Sequence, residues 1–308
     1  MGVDVIARNA PTRNAPADRV GLGWRGELAA GIFTHLDKID LIEIIADDHF
    51  RSNPRDLRAL ATLAAQTPIT LHGVAMGLAS SEATEMRRID NMARLVDTLQ
   101  PETWSEHLAF VRAGGIEIGH LAAPPRNTKN VDAAIANIKR AEKIVGRAPS
   151  LENIATLIDP PASTLDEATW TTHILDGSDA NLLLDLHNLY ANALNFGETP
   201  ATLLMRFPLH RVRAVHLSGG KWIAEPAADG LKNSPPRMRL LDDHVHDVPA
   251  DVFDLLTLLA EHTPQRLDVI IERDGAYPAF DCLLAQIDAA REALDVGRKR
   301  AGHLRAAA

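Results

Sequence analysis

The sequence predicts one α/β domain of the closed (β/α)8, or TIM-barrel, class. Short β-branched or leucine-rich runs recur eight times along the 308 residues, and amphipathic stretches fall between them. Ligand-type residues stand at the ends of six of those runs. Eight strands each followed by a helix is the arithmetic of a closed parallel barrel, which takes about 250 residues. The strand-like runs are residues 19–24, 40–46, 69–73, 103–108, 150–153, 181–186, 213–217 and 267–272. Helical patterns cover 53–65, 81–99, 131–145, 166–175, 250–261 and 279–294. An open doubly wound sheet is the competing arrangement. The glycine-rich start Gly21-Leu22-Gly23 is too short for a dinucleotide fingerprint and reads as a tight first turn.

Three segments stand apart from this alternation. Residues 1–18 are polar and rich in Asn, Ala and Pro, and read as a flexible arm before a catalytic domain at 19–296. The tail 297–308 carries Arg298, Lys299, Arg300 and Arg305 and reads as a solvated basic helix end. The connection 218–248 is long, holds three prolines, and reads as a functional lid or binding segment.

Composition narrows the function classes. Hydrophobic residues make up 46% and charged residues 24%, enough apolar material for one large core. A net charge of -9 argues against a broad phosphate-binding surface, so no nucleic-acid partner is expected. The single cysteine, Cys282, excludes an intrachain disulfide and reads as a small core residue of the apolar stretch 280–287. The first residues lack an apolar secretory core, and no run approaches ~18 uninterrupted apolar residues. A cytoplasmic protein without membrane insertion is expected.

The chemistry collects at strand ends. His72 closes ITLH, His107 closes WSEH, Glu152 closes SLE, Asp185 closes LLLD, His216 closes AVH and Glu272 closes VIIE. Buried and unpaired, such groups are expensive, and in a barrel all strand C-termini converge on one face. Asp242 and His244, two apart in the long connection, can reach one cation from one side. A His and carboxylate set without thiolate suits iron, manganese or zinc. Its size exceeds what one ion needs, so at least one carboxylate is expected to bridge. Structural hydrogen bonding is the competing account of any single member.

Together these motifs resemble the multinuclear non-heme iron-dependent oxidative enzymes, peptide-modifying iron enzymes of the kind found in methanobactin biosynthesis. The pieces that carry the resemblance run from Gly21-Leu22-Gly23-Trp24-Arg25 through Leu71-His72-Gly73-Val74 and Ser105-Glu106-His107-Leu108. Glu152-Asn153-Ile154, Leu184-Asp185-Leu186-His187-Asn188-Leu189-Tyr190 and Val215-His216-Leu217 continue it, and Asp242-Asp243-His244 and Ile271-Glu272-Arg273-Asp274 complete it. The resemblance spans about residues 20–280 and implies a barrel like those of xylose isomerase and endonuclease IV. It implies that His72, His107 and Glu152 hold one metal and that Glu152 bridges to a second. Asp185, His216 and Glu272 would complete that second site, with Asn188, Asp242 and His244 holding a third. The related nuclease pattern has histidine where this chain has Asn188, which leaves His187 as the alternative ligand. The segment Gly73-Val74-Ala75-Met76-Gly77-Leu78 lacks the serine usual in the family, and Pro249 is displaced from its usual place after His244.

The resemblance further implies two or three irons of mixed Fe(II)/Fe(III) valence and O2 as co-substrate. It implies a ribosomally made precursor peptide modified at a cysteine, with a small partner protein that presents it. Arg25, Ser105 and Tyr190 are expected in the pocket, and Lys221, Trp222, Lys232 and Arg237 of the long connection at the partner or peptide. The alternative is a multi-zinc phosphodiesterase or abasic-site endonuclease built on the same ligands. Sugar isomerisation ranks below both, because it calls for a strand-end lysine that this sequence lacks.

Overall fold

A computed structural model of the chain describes residues 17–225 and 237–307, with side chains through 303. Strand β1 (Arg19–Gly23) leads through the short helix α1 (Ala29–Thr34) to β2 (Ile42–Ile45), α2 (Pro54–Ala64) and β3 (Ile69–Gly73). Helix α3 (Met86–Leu99) and β4 (Thr103–His107) come next, then a hairpin of β5 (Phe110–Ala113) and β6 (Ile116–Ala122). The chain continues through α4 (Thr128–Val145), β7 (Ser150–Glu152), α5 (Glu167–Ser178), β8 (Asn181–Asp185), α6 (Leu186–Phe196) and α7 (Pro200–Leu204). It ends with β9 (Val212–Leu217), a second hairpin of β10 (Gly220–Ala224) and β11 (Met238–Asp242), α8 (Ala250–His262), β12 (Asp268–Ile271) and α9 (Phe280–Ala307).

Strands β1, β2, β3, β4, β7, β8, β9 and β12 close into one parallel barrel in that cyclic order. All eight predicted runs coincide with barrel strands to within two residues. Parallel strands covered on both faces read as continuous apolar runs, and Leu182, Leu183 and Leu184 of β8 are all buried. Helix starts follow their caps. Asn53 accepts from Arg55 and Asp56 ahead of α2, with Pro54 in the first turn, and Asn127 and Asp166 cap α4 and α5. Gly146 and Gly197, both at positive φ, stop α4 and α6.

Several expectations change. The third helix begins at Met86 rather than 81, because the amide of Thr84 is held by Asn137 Oδ1 of α4 and the chain is still extended at Glu85. The run 181–186 conceals a helix start: Asp185 is both the strand end and the N-cap of α6, accepting from the Asn188 amide at 2.6 Å. Cys282 is exposed, not a core residue. The inward stripe of α9 is Leu283, Leu284, Ile287, Ala290 and Leu294, and Cys282 falls outside that phase.

The predicted arm at 1–16 lies outside the described residues. Asp18 is tied down, accepting from the Leu267 amide (2.8 Å) and pairing with Arg298 at 2.7 Å. Helix α9 runs unbroken past Gly297, where a Cβ would lie 2.3 Å from the Thr257 carbonyl oxygen of α8. Arg298 therefore ties Asp18 to the α8–β12 loop rather than standing free in solvent. The long connection 218–248 contains β10 and β11, and its Lys232 lies outside the described residues. Among the described residues, no helix is long and apolar enough to cross a membrane.

Gly21 sets how closely β1 and β2 approach, since a Cβ there would fall 2.0 Å from the Leu41 carbonyl oxygen and 2.8 Å from its Cδ2. Gly21→Ala is expected to lower the unfolding free energy by about 2 kcal/mol or more. Urea denaturation measures it. A change under about 0.5 kcal/mol, the size of an ordinary surface substitution, would contradict this close contact.

Candidate metal centre

Parallel closure carries every strand C-terminus to one mouth, and alternation along each strand turns every second side chain inward. His72 of β3, His107 of β4, Glu152 of β7, Asp185 of β8, His216 of β9 and Glu272 just past β12 meet there. His107 is 9% exposed and the other five are 4% or less. Ligand atoms of His72, His107 and Glu152 lie within 4.8 Å of one another. So do those of Glu152, Asp185, His216 and Glu272, which makes Glu152 common to both groups.

The ring nitrogens can be assigned from their fixed partners. His107 Nδ1 lies 3.2 Å from the Gly73 carbonyl oxygen, which can only accept. The neutral ring therefore carries its proton on Nδ1 and turns the lone pair of Nε2 toward Glu152 Oε2, 3.3 Å away. His72 Nδ1 meets Ser105 Oγ at 2.8 Å while that hydroxyl donates to the Leu71 carbonyl oxygen, so His72 Nε2 also faces Glu152 Oε2 at 3.3 Å. His216 is reversed. Its Nδ1 lies 3.2 Å from Glu152 Oε1 and 3.1 Å from Glu272 Oε2, and its Nε2 lies 2.8 Å from Glu43 Oε1, off the N–H axis.

The Nε2 atoms of His72 and His107 thus face Glu152 Oε2, a buried carboxylate oxygen without a hydrogen-bond partner. Of fourteen buried side-chain polar atoms without a hydrogen-bond partner among the described residues, six belong to the candidate ligands. They include Glu152 Oε2, Asp185 Oδ2, Glu272 Oε2 and Asn188 Oδ1. Native interiors satisfy nearly all such groups. Concentration at one point is the signature of a missing positive partner, and the residues fit metal ions. Ordinary hydrogen bonding does not account for the set.

The electrostatics agree. Burial, reinforced by Asp242, Glu152 and Glu272, holds the Asp185 carboxyl well above the usual carboxylate range. Burial lowers His107, but Glu152 and Glu106 outweigh it and hold the ring at about 9. Burial likewise opposes the charge on His216 and His244. Glu272 and Glu43 lift the first well above its ordinary value, and Glu272, Asp242 and Asp274 lift the second. Protons occupy the places that a cation would take.

The expected third set sits beside the first two. Asn188, Asp242 and His244 line a cavity of about 200 Å³ together with His107 and Glu152. Asn188 Nδ2 donates to the Asn153 carbonyl oxygen, leaving Oδ1 free. His244 Nε2 lies 2.8 Å from Asp242 Oδ2, and Asp274 Oδ2 holds its Nδ1 at 3.2 Å. His244 has φ 53°, a strained conformation for a non-glycine residue and one that collects at functional sites. His187 is absent from that cavity's lining. Its Nδ1 donates to Asp242 Oδ1 at 2.7 Å and its Nε2 lies against Gly220, where a Cβ would meet it at 3.0 Å. His187 orients Asp242, and Asn188 is the residue that faces the cleft.

Three pocket expectations resolve differently. Arg25 hydrogen-bonds Asp274, which in turn holds His244. Ser105 lies beneath His72, below the cleft rather than in it. Tyr190 packs near His187, outside the cavity. Sequence reasoning missed Glu43, Glu106 and Asp274. Glu106 accepts from the Met76 amide and packs against Gly73, where a Cβ would stand 2.5 Å from Oε2. A charge inside the apolar run LIEII was the available signal for Glu43.

Fold and site together define a closed (β/α)8 barrel with a multi-ligand His and carboxylate mouth. The chain belongs to the family of RiPP precursor modification enzymes (enzymes acting on ribosomally made peptides) described as MbnB/TglH/ChrH, whose model matches residues 19–295. A UPF0276 protein of Streptomyces avermitilis is 31% identical over 292 residues, 91% of this chain; the chain spans only 56% of that relative. One from Acaryochloris marina is 29% identical, with 86% of this chain and 91% of that protein covered. Among solved structures, an L-ribulose 3-epimerase aligns with TM-score 0.57 at 16% identity, over 93% of this chain and 98% of that one. Endonuclease IV from Thermus thermophilus aligns with TM-score 0.56 at 15% identity, over 90% and 99%. At such identities the likeness shows the fold alone.

Two outcomes test the centre. Glu152→Gln and Asp185→Asn should each weaken metal binding by more than the roughly 10–100-fold typical of an outer partner, read by elemental analysis after dialysis. Full metal retention in both would remove Glu152 from its bridging place. Ion binding should also release more than one proton per chain at neutral pH. Because His107, His216, His244 and Asp185 must give up raised-pKa protons, apparent affinity should climb as pH rises toward about 9. Calorimetry in two buffers of different ionisation enthalpy counts those protons, and a count near zero would contradict the assignment.

Proposed function

We propose that this chain is a multinuclear iron enzyme that uses O2 to modify a ribosomally made precursor peptide oxidatively at a cysteine. The observation that carries the reading is the group of unpartnered nitrogen and oxygen donors around one cleft, in a chain of a RiPP precursor modification family. His and carboxylate donors suit iron, and no cysteine of this chain belongs to the cluster, so a thiolate would come from the substrate. His72, His107 and Glu152 would hold one ion, Glu152, Asp185, His216 and Glu272 a second, and Asn188, Asp242 and His244 a third. Iron there would supply the one-electron chemistry that O2 requires, in mixed ferrous and ferric form.

The chain's own residues shape the approach. Leu121, Ile154, Leu157, Leu240 and Leu241 wall the cavity above the donors and keep water from the reacting side chain. About 200 Å³ admits a side chain and its flanking backbone rather than a folded domain. That supports an extended peptide entering between the β5–β6 and β10–β11 hairpins. Ile116, Trp222 and Met238 of the two hairpins and Ile158 of the loop after β7 are large exposed apolar residues. They support contact with the peptide or with a small presenting protein, alongside Lys221 and Arg237.

The hydrolytic alternative on the same ligands has less support. The net charge of -9 is unfavourable for a polyphosphate backbone, and Asn188 is a weaker ligand for a third zinc.

The chain purified after expression in iron-replete medium should contain two or three irons and show charge-transfer absorption. With a Cys-bearing precursor encoded beside its gene, it should change the peptide's mass only when O2 is present. A colourless zinc protein that cleaves abasic DNA would replace this reading with the nuclease.

A further inference from the structure

Below the mouth the barrel axis is polar, where a barrel of this class is ordinarily filled by branched apolar side chains. Glu43, Thr70, Ser105 and Ser150 line a cavity of about 30 Å³ between the candidate ligands and the barrel floor, which is room for about one or two waters. Glu43 projects into it from the middle of β2, with its side chain 4% exposed. Thr70 Oγ1 donates to Glu43 Oε2 at 3.2 Å, and Glu43 Oε1 lies 2.8 Å from His216 Nε2, within hydrogen-bond reach but off the N–H axis. Leu41, Leu183, Ala214 and Ile270 add apolar walls, and Asp268, the other carboxylate of the lining, is paired with Arg19.

We infer that Glu43 is a positioning residue, holding His216 by Nε2 so that Nδ1 faces Glu152 and Glu272 as the ion-binding nitrogen. The inference rests on the reading that the mouth binds metal ions. Its logic is that an imidazole binding through one nitrogen is oriented by whatever holds the other. His72 and His107 are held at Nδ1, by Ser105 and the Gly73 carbonyl, and present Nε2. His216 presents the opposite nitrogen, so its holder must lie on the opposite side, beneath the cluster, and that is where Glu43 stands. Without an acceptor there, a half-turn about Cβ–Cγ puts Cδ2 in place of Nδ1 and removes a ligand from the Glu152–Asp185–Glu272 group. Ser105 and Glu43 then share one task from the lining of one small cavity. Glu43, His72 and His216 also offer ligand atoms within 4.8 Å of one another, so direct ligation by Glu43 is the competing outcome.

Cobalt(II) titration of the metal-depleted full chain, followed by visible absorption and elemental ratio, separates these. Glu43→Gln keeps an acceptor oxygen and should retain the wild-type number of ions at close to wild-type affinity. Glu43→Met, similar in length but without an acceptor, should bind one ion fewer or bind it at least ~10-fold more weakly. Its metal-free form should unfold no more easily than wild type, since a buried acid has been replaced by an apolar group. Equal loss in both variants would make Glu43 a ligand and overturn the positioning role. Full loading in both would overturn it too. In zinc-loaded wild type, long-range 1H–15N spectra should show His216 with metal on Nδ1 and a proton on Nε2. Metal on Nε2 would overturn the inference without recourse to any variant. A wild-type chain that binds no ion sinks the metal reading itself, an outcome distinct from a loaded wild type indifferent to position 43.

Discussion

Glu152, Asp185 and Glu272 are buried together at one end of the barrel, with the half-buried Asp242 beside them. Like charges so close cannot all stay ionised without a cation, and the burial that brings them together removes the screening that would let them coexist. The metal-free chain answers with protons, on Asp185 and on the imidazoles of His107, His216 and His244. Metal ions in place of those protons would satisfy the same charge. Much of the mouth's local architecture follows from holding these groups in place despite their mutual repulsion.

That holding is done by groups one layer away. Ser105 and the Gly73 carbonyl fix two rings, His187 and Ser218 grip Asp242, and Asp274, itself paired with Arg25, grips His244. Asn153 exchanges hydrogen bonds with the backbone of Asp185, and Asp185 also caps α6, so one side chain serves strand end, helix start and cluster together. Close approach requires residues without side chains: Gly73 makes room for Glu106, and Gly220 for the His187 ring. The strained backbone of His244 belongs to the same arrangement, held by the Gly219 carbonyl and the Asp274 amide.

Much of the fold was legible because parallel barrel strands are buried on both faces and announce themselves as apolar runs. The six strand-end ligand types were legible for the same reason, each a charged or imidazole group interrupting a run that has no local use for it. Glu43 escaped because attention to strand ends passes over a charge in mid-strand, although LIEII breaks the apolar pattern just as plainly. The two hairpins escaped because their strands are short, half exposed and paired only with each other. Cys282 was misread because an apolar helical stretch does not announce its phase; contact with the barrel chooses which face turns inward.

Residue order alone settled the alternation of strands and helices, the ligand types at the strand ends, and membership of a peptide-modifying family. These are consequences of local pattern, which is written in neighbouring residues. Which nitrogen of each histidine faces the centre, that Asn188 and not His187 lines the cleft, and that Arg298 holds Asp18 depend on partners up to 280 positions away. Only closure of the barrel brings such partners within hydrogen-bonding distance, because orientation is imposed by contacts that no local stretch of sequence contains.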